Sequence, residues 1–204
     1  MVLYWFHYKE LIMKYQAVYE NEIYEQTIGP AIVVKYHGSK KVDIKFVNTG
    51  TLLTVTAQQS KKGSIEDNMA PRMLGVGYHG FGPYKGTEQG KLTKPYTLWY
   101  DMLNRCYNVK LHSSKHSTYV GVTVCEEWHN FQNFAKWLEQ NYVEGWALDK
   151  DLIGGNIFSP QTCVYTPTEV NMAEAHLRKA KNENPEFSTR YDEFVKSAIR
   201  IYKH

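Results

Sequence analysis

The spacing of apolar residues changes period along the chain, and each period predicts a different kind of element. Between Ile28 and Asp67 three β-branched runs, "AIVVKYH", "KVDIKFVN" and "TLLTVTA", alternate in part and are separated by Gly-Ser-Lys and Thr-Gly turns. Alternation of that kind marks half-buried strands, so a meander or small open barrel is expected here, followed by a loop over "QQSKKGSIEDNMAP". Downstream the period lengthens. "YTLWYDMLNRCYN" sets Leu98, Trp99, Met102, Leu103, Cys106 and Tyr107 at helical spacing, which predicts an amphipathic helix from Tyr96 to Asn108. "TYVGVTVCEEW" predicts a strand from Tyr119 to about Cys125. "NFQNFAKWLEQNY" predicts a helix capped by Asn130 that buries Phe131, Phe134, Ala135 and Leu138. Thr166-Pro167-Thr168-Glu169 has the form of a capping box with proline in the first turn, opening a helix that runs to about Lys179. A last helix spans about Thr189 to Lys203, with Tyr191, Phe194, Val195, Ala198, Ile199 and Tyr202 on one face.

These elements predict an α+β chain. Its expected parts are an N-terminal extension (1–25), a small antiparallel β module (26–68) and a glycine-rich linker (69–85). A strand-strand-helix unit with packed helices (86–180) and a C-terminal amphipathic helix (181–204) follow. The linker "GVGYHGFGPYKG" satisfies G-x-G-x-x-G at Gly75, Gly77 and Gly80, but no buried parallel strand precedes it and no helix starts at its third glycine. A phosphate loop needs that helix amino terminus, so the match carries no nucleotide-binding expectation.

Composition adds a charge asymmetry. The whole chain carries only +3, but residues 85–116 hold six Lys/Arg against two Asp/Glu, and residues 117–176 hold two against eight. A basic segment therefore precedes an acidic one. In the basic segment Lys85, Lys91, Lys94, Arg105, Lys110 and Lys115 are interleaved with Tyr84, Tyr96 and Tyr107. Cations neutralise phosphates and aromatic rings stack on bases, so this mixture is the candidate nucleic-acid surface. Arg105, on the side of its helix away from much of the apolar stripe, is expected to reach outward; Lys40, Lys41, Lys61 and Lys62 of the β module are candidates to extend the patch. Cys106, Cys125 and Cys163 are scattered without a C-x-x-C pair and predict reduced thiols in a cytoplasm rather than a zinc site or a disulfide framework. The opening "MVLYWFHYKELIMKYQAVY" is interrupted by Lys9, Glu10 and Lys14 and lacks the unbroken apolar run of a signal peptide or membrane helix.

One stretch narrows the chemistry. In "WALDKDLIGGNIFSPQTCVYTPTEVN" a strand ends at Leu148-Asp149, a Gly-Gly-Asn loop follows, a second strand carries Cys163-Val164-Tyr165, and a helix opens. Together with "TLWYDMLNRCYN" and "YVGVTVCEEWHNFQNF", it makes residues 74–174 resemble a family of phage-encoded HNH-type, homing-endonuclease-like proteins. The resemblance implies a phage origin, a cytoplasmic place in the infected bacterium and a ββα-metal site. In that site a histidine activates water, an acidic or histidine ligand holds the metal, a strand asparagine organises the loop, and a His or Asn on the helix completes the shell. Carried over residue by residue, Asp149 takes the ligand position, Lys150 the general-base position, Thr162 the loop-organising position and Asn171 the helix position.

Two of these four positions differ in type from the family pattern. A histidine with pKa about 6.5 accepts a proton at neutral pH, whereas a lysine near about 10.4 is almost wholly charged. One carboxylate and one amide are also a poor set for a hard cation. The expectation is accordingly a degenerate, non-catalytic nucleic-acid-binding protein, with DNA ahead of RNA and no cofactor. Mg²⁺ or Mn²⁺ enters only if nuclease activity survives at Asp149, Lys150 and Asn171. The alternative is a phage factor that binds and inhibits a host protein, using the acidic surface as a DNA mimic. No membrane partner is expected.

Overall fold

The computed structural model describes residues 18, 20–38, 40–112 and 117–203. The chain is mixed α+β and divides between Ala70 and Pro71 into two units.

In the first unit, strands β1 (Ile23–Gln26), β2 (Gly29–Gly38), β3 (Lys41–Phe46) and β4 (Leu52–Thr56) form one antiparallel sheet in sequence order. Alternation does the work expected of it: Ala31 and Val33 on β2 and Val42, Ile44 and Phe46 on β3 are buried with Val18, Ala57 and Ile65. Two elements depart from the sequence expectation. β1 extends the sheet into the stretch read as an N-terminal extension, with Ile23 opposite Ile32 and Gln26 opposite Gly29. The stretch read as a loop begins with helix α1 (Ala57–Lys62). Thr56 caps it by accepting from the Gln59 N–H, and the Gln59 side chain in turn accepts from the Thr56 N–H; Gly63, at φ +69°, closes it.

The second unit is organised by α2 (Lys94–Tyr107) packed on α5 (Phe131–Asn141), with α3 (Val109–His112) and α4 (Glu126–His129) between them in sequence. Trp99, Met102 and Leu103 of α2 are wholly buried with Trp128, Phe131 and Phe134. The one polar atom of Trp99 is satisfied by donating to the Trp128 carbonyl at 2.7 Å. Burial on this scale makes truncation of Trp99 cost about 3–5 kcal/mol. As expected, Asn130 caps α5 by accepting from the Gln132 N–H at 3.0 Å.

From Pro71 onward, the segment read as a linker is built into this unit. Tyr78 exchanges backbone hydrogen bonds with His129 and Phe131, both at 2.9 Å, and the Gln132 amide donates to the carbonyls of His79 and Tyr84 and accepts from the Tyr84 N–H. The glycines are there for close approach: a Cβ on Gly77 would lie 2.5 Å from Leu103 Cδ1, and one on Gly80 2.1 Å from Asn130 Oδ1. A hairpin of β5 (Thr87–Glu88) and β6 (Lys91–Leu92) then leads into α2.

The region expected as one long strand from Tyr119 is instead a 3-10 turn, Ser117–Tyr119, then Gly121 at φ +79°, then the short β7 (Thr123–Val124). β7 pairs in parallel with β9 (Ile157–Phe158). β8 (Trp146–Asp149) and β10 (Val164–Pro167) are antiparallel, with Asp149 opposite Val164 and Trp146 opposite Pro167. α6 (Thr168–Glu183) follows directly, and α7 (Ser188–Tyr202) lies against it. The expected capping box does not form. Thr166 is taken into β10 opposite Ala147, fully buried, and no side-chain oxygen caps α6. The apolar face of α7 is core: Ala198, Phe194, Val195, Ile199 and Tyr202 pack with Leu152, Val164 and Val170. Among the described residues no helix is long and apolar enough to cross a membrane.

Candidate nucleic-acid interface

The end of β8 carries the chemistry. Asp149 is 4 % exposed, and its Oδ1 accepts from the backbone N–H groups of Asp151 (2.7 Å) and Leu152 (3.3 Å). Its carboxyl therefore ties the strand to the turn that follows it. Burial raises its pKa, partly offset by these two hydrogen bonds. Oδ2 is enclosed and has no hydrogen-bond partner among the described residues.

Lys150, the residue carried over to the general-base position, is only 8 % exposed. Its ammonium donates to Asp151 Oδ1 and lies 5.9 and 5.8 Å from the ring centres of Tyr119 and Phe158. Asp151 Oδ2 in turn takes Arg178 Nη1 at 3.1 Å. Burial alone would raise the Asp151 pKa, but the hydrogen bond and charge of Lys150 and the charge of Arg178 outweigh it and leave it lowered. Arg178 Nε approaches Glu174 Oε1 at 3.5 Å, and that oxygen also accepts from the Tyr191 hydroxyl at 2.8 Å. Glu174 is fully buried, and its pKa is raised by that burial. A polar network thus links the end of β8 through α6 to α7. Sequence reasoning missed Glu174, Arg178 and Tyr191, because their partners are far apart in the chain. The i, i+4 spacing of Glu174 and Arg178 was the only local signal.

Asp149, Lys150 and Asn171 line one cavity of about 410 Å³, together with Lys94, Arg105, Tyr119, Tyr142, Trp146 and Phe158. Here the structure unites residues from both expected sets. Arg105 turns toward this cavity rather than freely outward: its Nη1 donates to the Tyr119 hydroxyl at 3.2 Å, its Nε to the Asp101 carbonyl at 3.3 Å, and its guanidinium sits 5.4 and 5.6 Å from the rings of Tyr119 and Phe158. Lys94 Nζ lies 5.7 Å from the Tyr142 ring centre. Lys94 also borders a second cavity, of about 610 Å³, lined by Lys85 and Lys91 on the β5–β6 side. Lys85, Lys91, Lys94 and Lys110 are exposed, and Lys115 lies outside the described residues.

The aromatics expected beside these cations are mostly spent on the core. Tyr96 packs against Trp99 and Phe131, and the Tyr107 hydroxyl accepts from the Val124 N–H and meets His129 Nε2. Tyr84 donates to Glu139 at 2.6 Å. Rings facing the cations come instead from Tyr119, Tyr142 and Phe158. The acidic surface is also smaller than the segment's charge sum suggests. Of its eight carboxylates, Asp149 and Glu174 are buried and Asp151 is held by two cations.

Thr162 organises its loop: its hydroxyl donates to the Ile157 carbonyl at 2.6 Å and accepts from the Ser159 N–H at 3.1 Å. The residues expected at a metal position fit a cation poorly. Asp149 Oδ1 is committed to backbone donors, Oδ2 is enclosed, and no group of three or more His, Cys, Asp or Glu able to hold a metal exists among the described residues. No protein-family model matches the chain, and no curated protein or solved structure matches it.

Proposed function

We propose that the chain binds nucleic acid without cutting it, on a scaffold similar to that of phage HNH-type endonucleases. The observation that carries this reading is a row of cations along two cavities that share Lys94: Lys85 and Lys91 on one side, Arg105 on the other. Among the described residues no carboxylate forms an ion pair with any of these four. Their charge is therefore available to phosphates, whose neutralisation supplies most of non-specific affinity.

The absence of cutting follows from the end of β8. Lys150 is bound to Asp151, and Asp149 serves the turn, so neither a free general base nor an open ligand stands at the expected position. The three free cysteines fit the reducing cytoplasm of an infected bacterium.

The combined variant Lys85→Gln, Lys91→Gln and Lys94→Gln tests the cation row. Its slope of log affinity against log salt is expected to fall by about two to three, since each phosphate contact contributes about 0.7–0.9. An unchanged slope would refute the assignment.

A further inference from the structure

We propose that the cavity beside β8 receives a single unpaired nucleotide, so that the chain engages a single-stranded stretch or strand end rather than a closed duplex. This rests on the nucleic-acid reading above and specifies what its central cavity takes. The first argument is size. A cavity of about 410 Å³ lies toward the small end of the roughly 300–1,000 Å³ typical of small-molecule sites. One nucleotide enters such a space, whereas a base held in a paired stack does not.

The second argument is the chemistry of its walls. Each carboxylate lining the cavity already has a partner. Asp151 has Lys150 and Arg178, Asp149 has two backbone N–H groups, and Glu144 accepts from the Tyr142 hydroxyl at 2.5 Å. Lys94 and Arg105 have no carboxylate partner among the described residues. Two of the five guanidinium N–H groups of Arg105 are used, on Tyr119 and Asp101, which leaves donors for an anion. Five rings share the remaining surface with Leu98, Ala147 and Leu148: Tyr119, Tyr142, Trp146, Phe158 and Tyr165. Inorganic phosphate would use the cations and leave the rings unused; a nucleoside would do the reverse. A nucleotide uses both, and base–aromatic contact is sequence-tolerant.

The test is fluorescence anisotropy of the full chain with an internally labelled oligothymidylate and with a duplex of equal length closed by a loop at each end. Thymidine monophosphate, thymidine and inorganic phosphate serve as competitors. The single strand is expected to bind at least about tenfold more tightly than the closed duplex, with the monophosphate competing better than thymidine or phosphate. Lys94→Gln, at an exposed position, and Arg105→Gln should each weaken strand binding about tenfold, the worth of one charge-assisted hydrogen bond. Equal binding of strand and closed duplex, with no competition by the monophosphate, would overturn the nucleotide cavity and leave nucleic-acid binding standing. No binding of either form would overturn both.

Discussion

Lys150 and Asp151, neighbours in sequence, are ion partners in space, and the second oxygen of Asp151 holds Arg178 of α6 at 3.1 Å. Lys150 is thus part of a brace between the end of β8 and the helix α6.

Two carboxylates of this network have opposite pH behaviour. The folded pKa of Asp151 is lowered, so its contribution to stability is present above about 3.8 and lost as pH falls through the lower folded value. Asp151→Asn should therefore cost most at neutral pH, about 1–2 kcal/mol after allowing for partial solvent screening, and less in acid. The folded pKa of Glu174 is raised by burial, so its stability term is full below 4.5 and lost as pH rises through the folded value. Relative to the parent, Glu174→Gln should become more favourable as pH rises across that window. Urea midpoints of both variants at acid and neutral pH check this; parallel slopes would contradict the brace.

The segment from Met73 to Tyr84 should behave as packed structure. Gly80→Ala combines a left-handed backbone, φ +71°, with a contact at 2.1 Å to Asn130, and should lower stability by about 2–3 kcal/mol. Gly75→Ala has a similar φ of +79° and nothing within 4 Å, so it should cost only about 1–2 kcal/mol. Thermal melts of the pair distinguish this from a free linker, in which both would be neutral.

Much of the fold was legible from local pattern. β2 to β4, α2, α5 and α7 all carry strong periodicity, and burial follows the stripes. The capping box Thr56-x-x-Gln59 was present in the sequence and would have revealed α1. Other features were decided at long range. Thr166 has the form of a helix cap, but pairing with Ala147 draws it into β10. Arg105 borders the buried Met102 and Cys106 on its helix, and its length lets it turn to Tyr119. The burial of Lys150 depends on Tyr119, Phe158 and Asp151 arriving together, and composition carries no trace of that.

Thiol chemistry should sort the cysteines. Burial pushes Cys106 up to about 11 and Cys163 up to about 12, and both side chains are enclosed. Cys125 is half-buried, so it should be labelled first by iodoacetamide near neutral pH, with the other two reacting only on denaturation. Mass spectrometry of labelled peptides reads the order; early modification of Cys163 would contradict the packing around β10.

The central claim is binding without cleavage, and the most direct test is a salt titration of nucleic-acid binding by the purified chain, in EDTA and in Mg²⁺ or Mn²⁺. Duplex DNA, single-stranded DNA and RNA are compared, and each is recovered afterwards on a denaturing gel. The account predicts affinity that falls steeply with salt, is indifferent to the cation beyond its ionic strength, and leaves every strand intact. Metal-dependent nicking that disappears in Asp149→Ala, or no binding to any of the three, would contradict it.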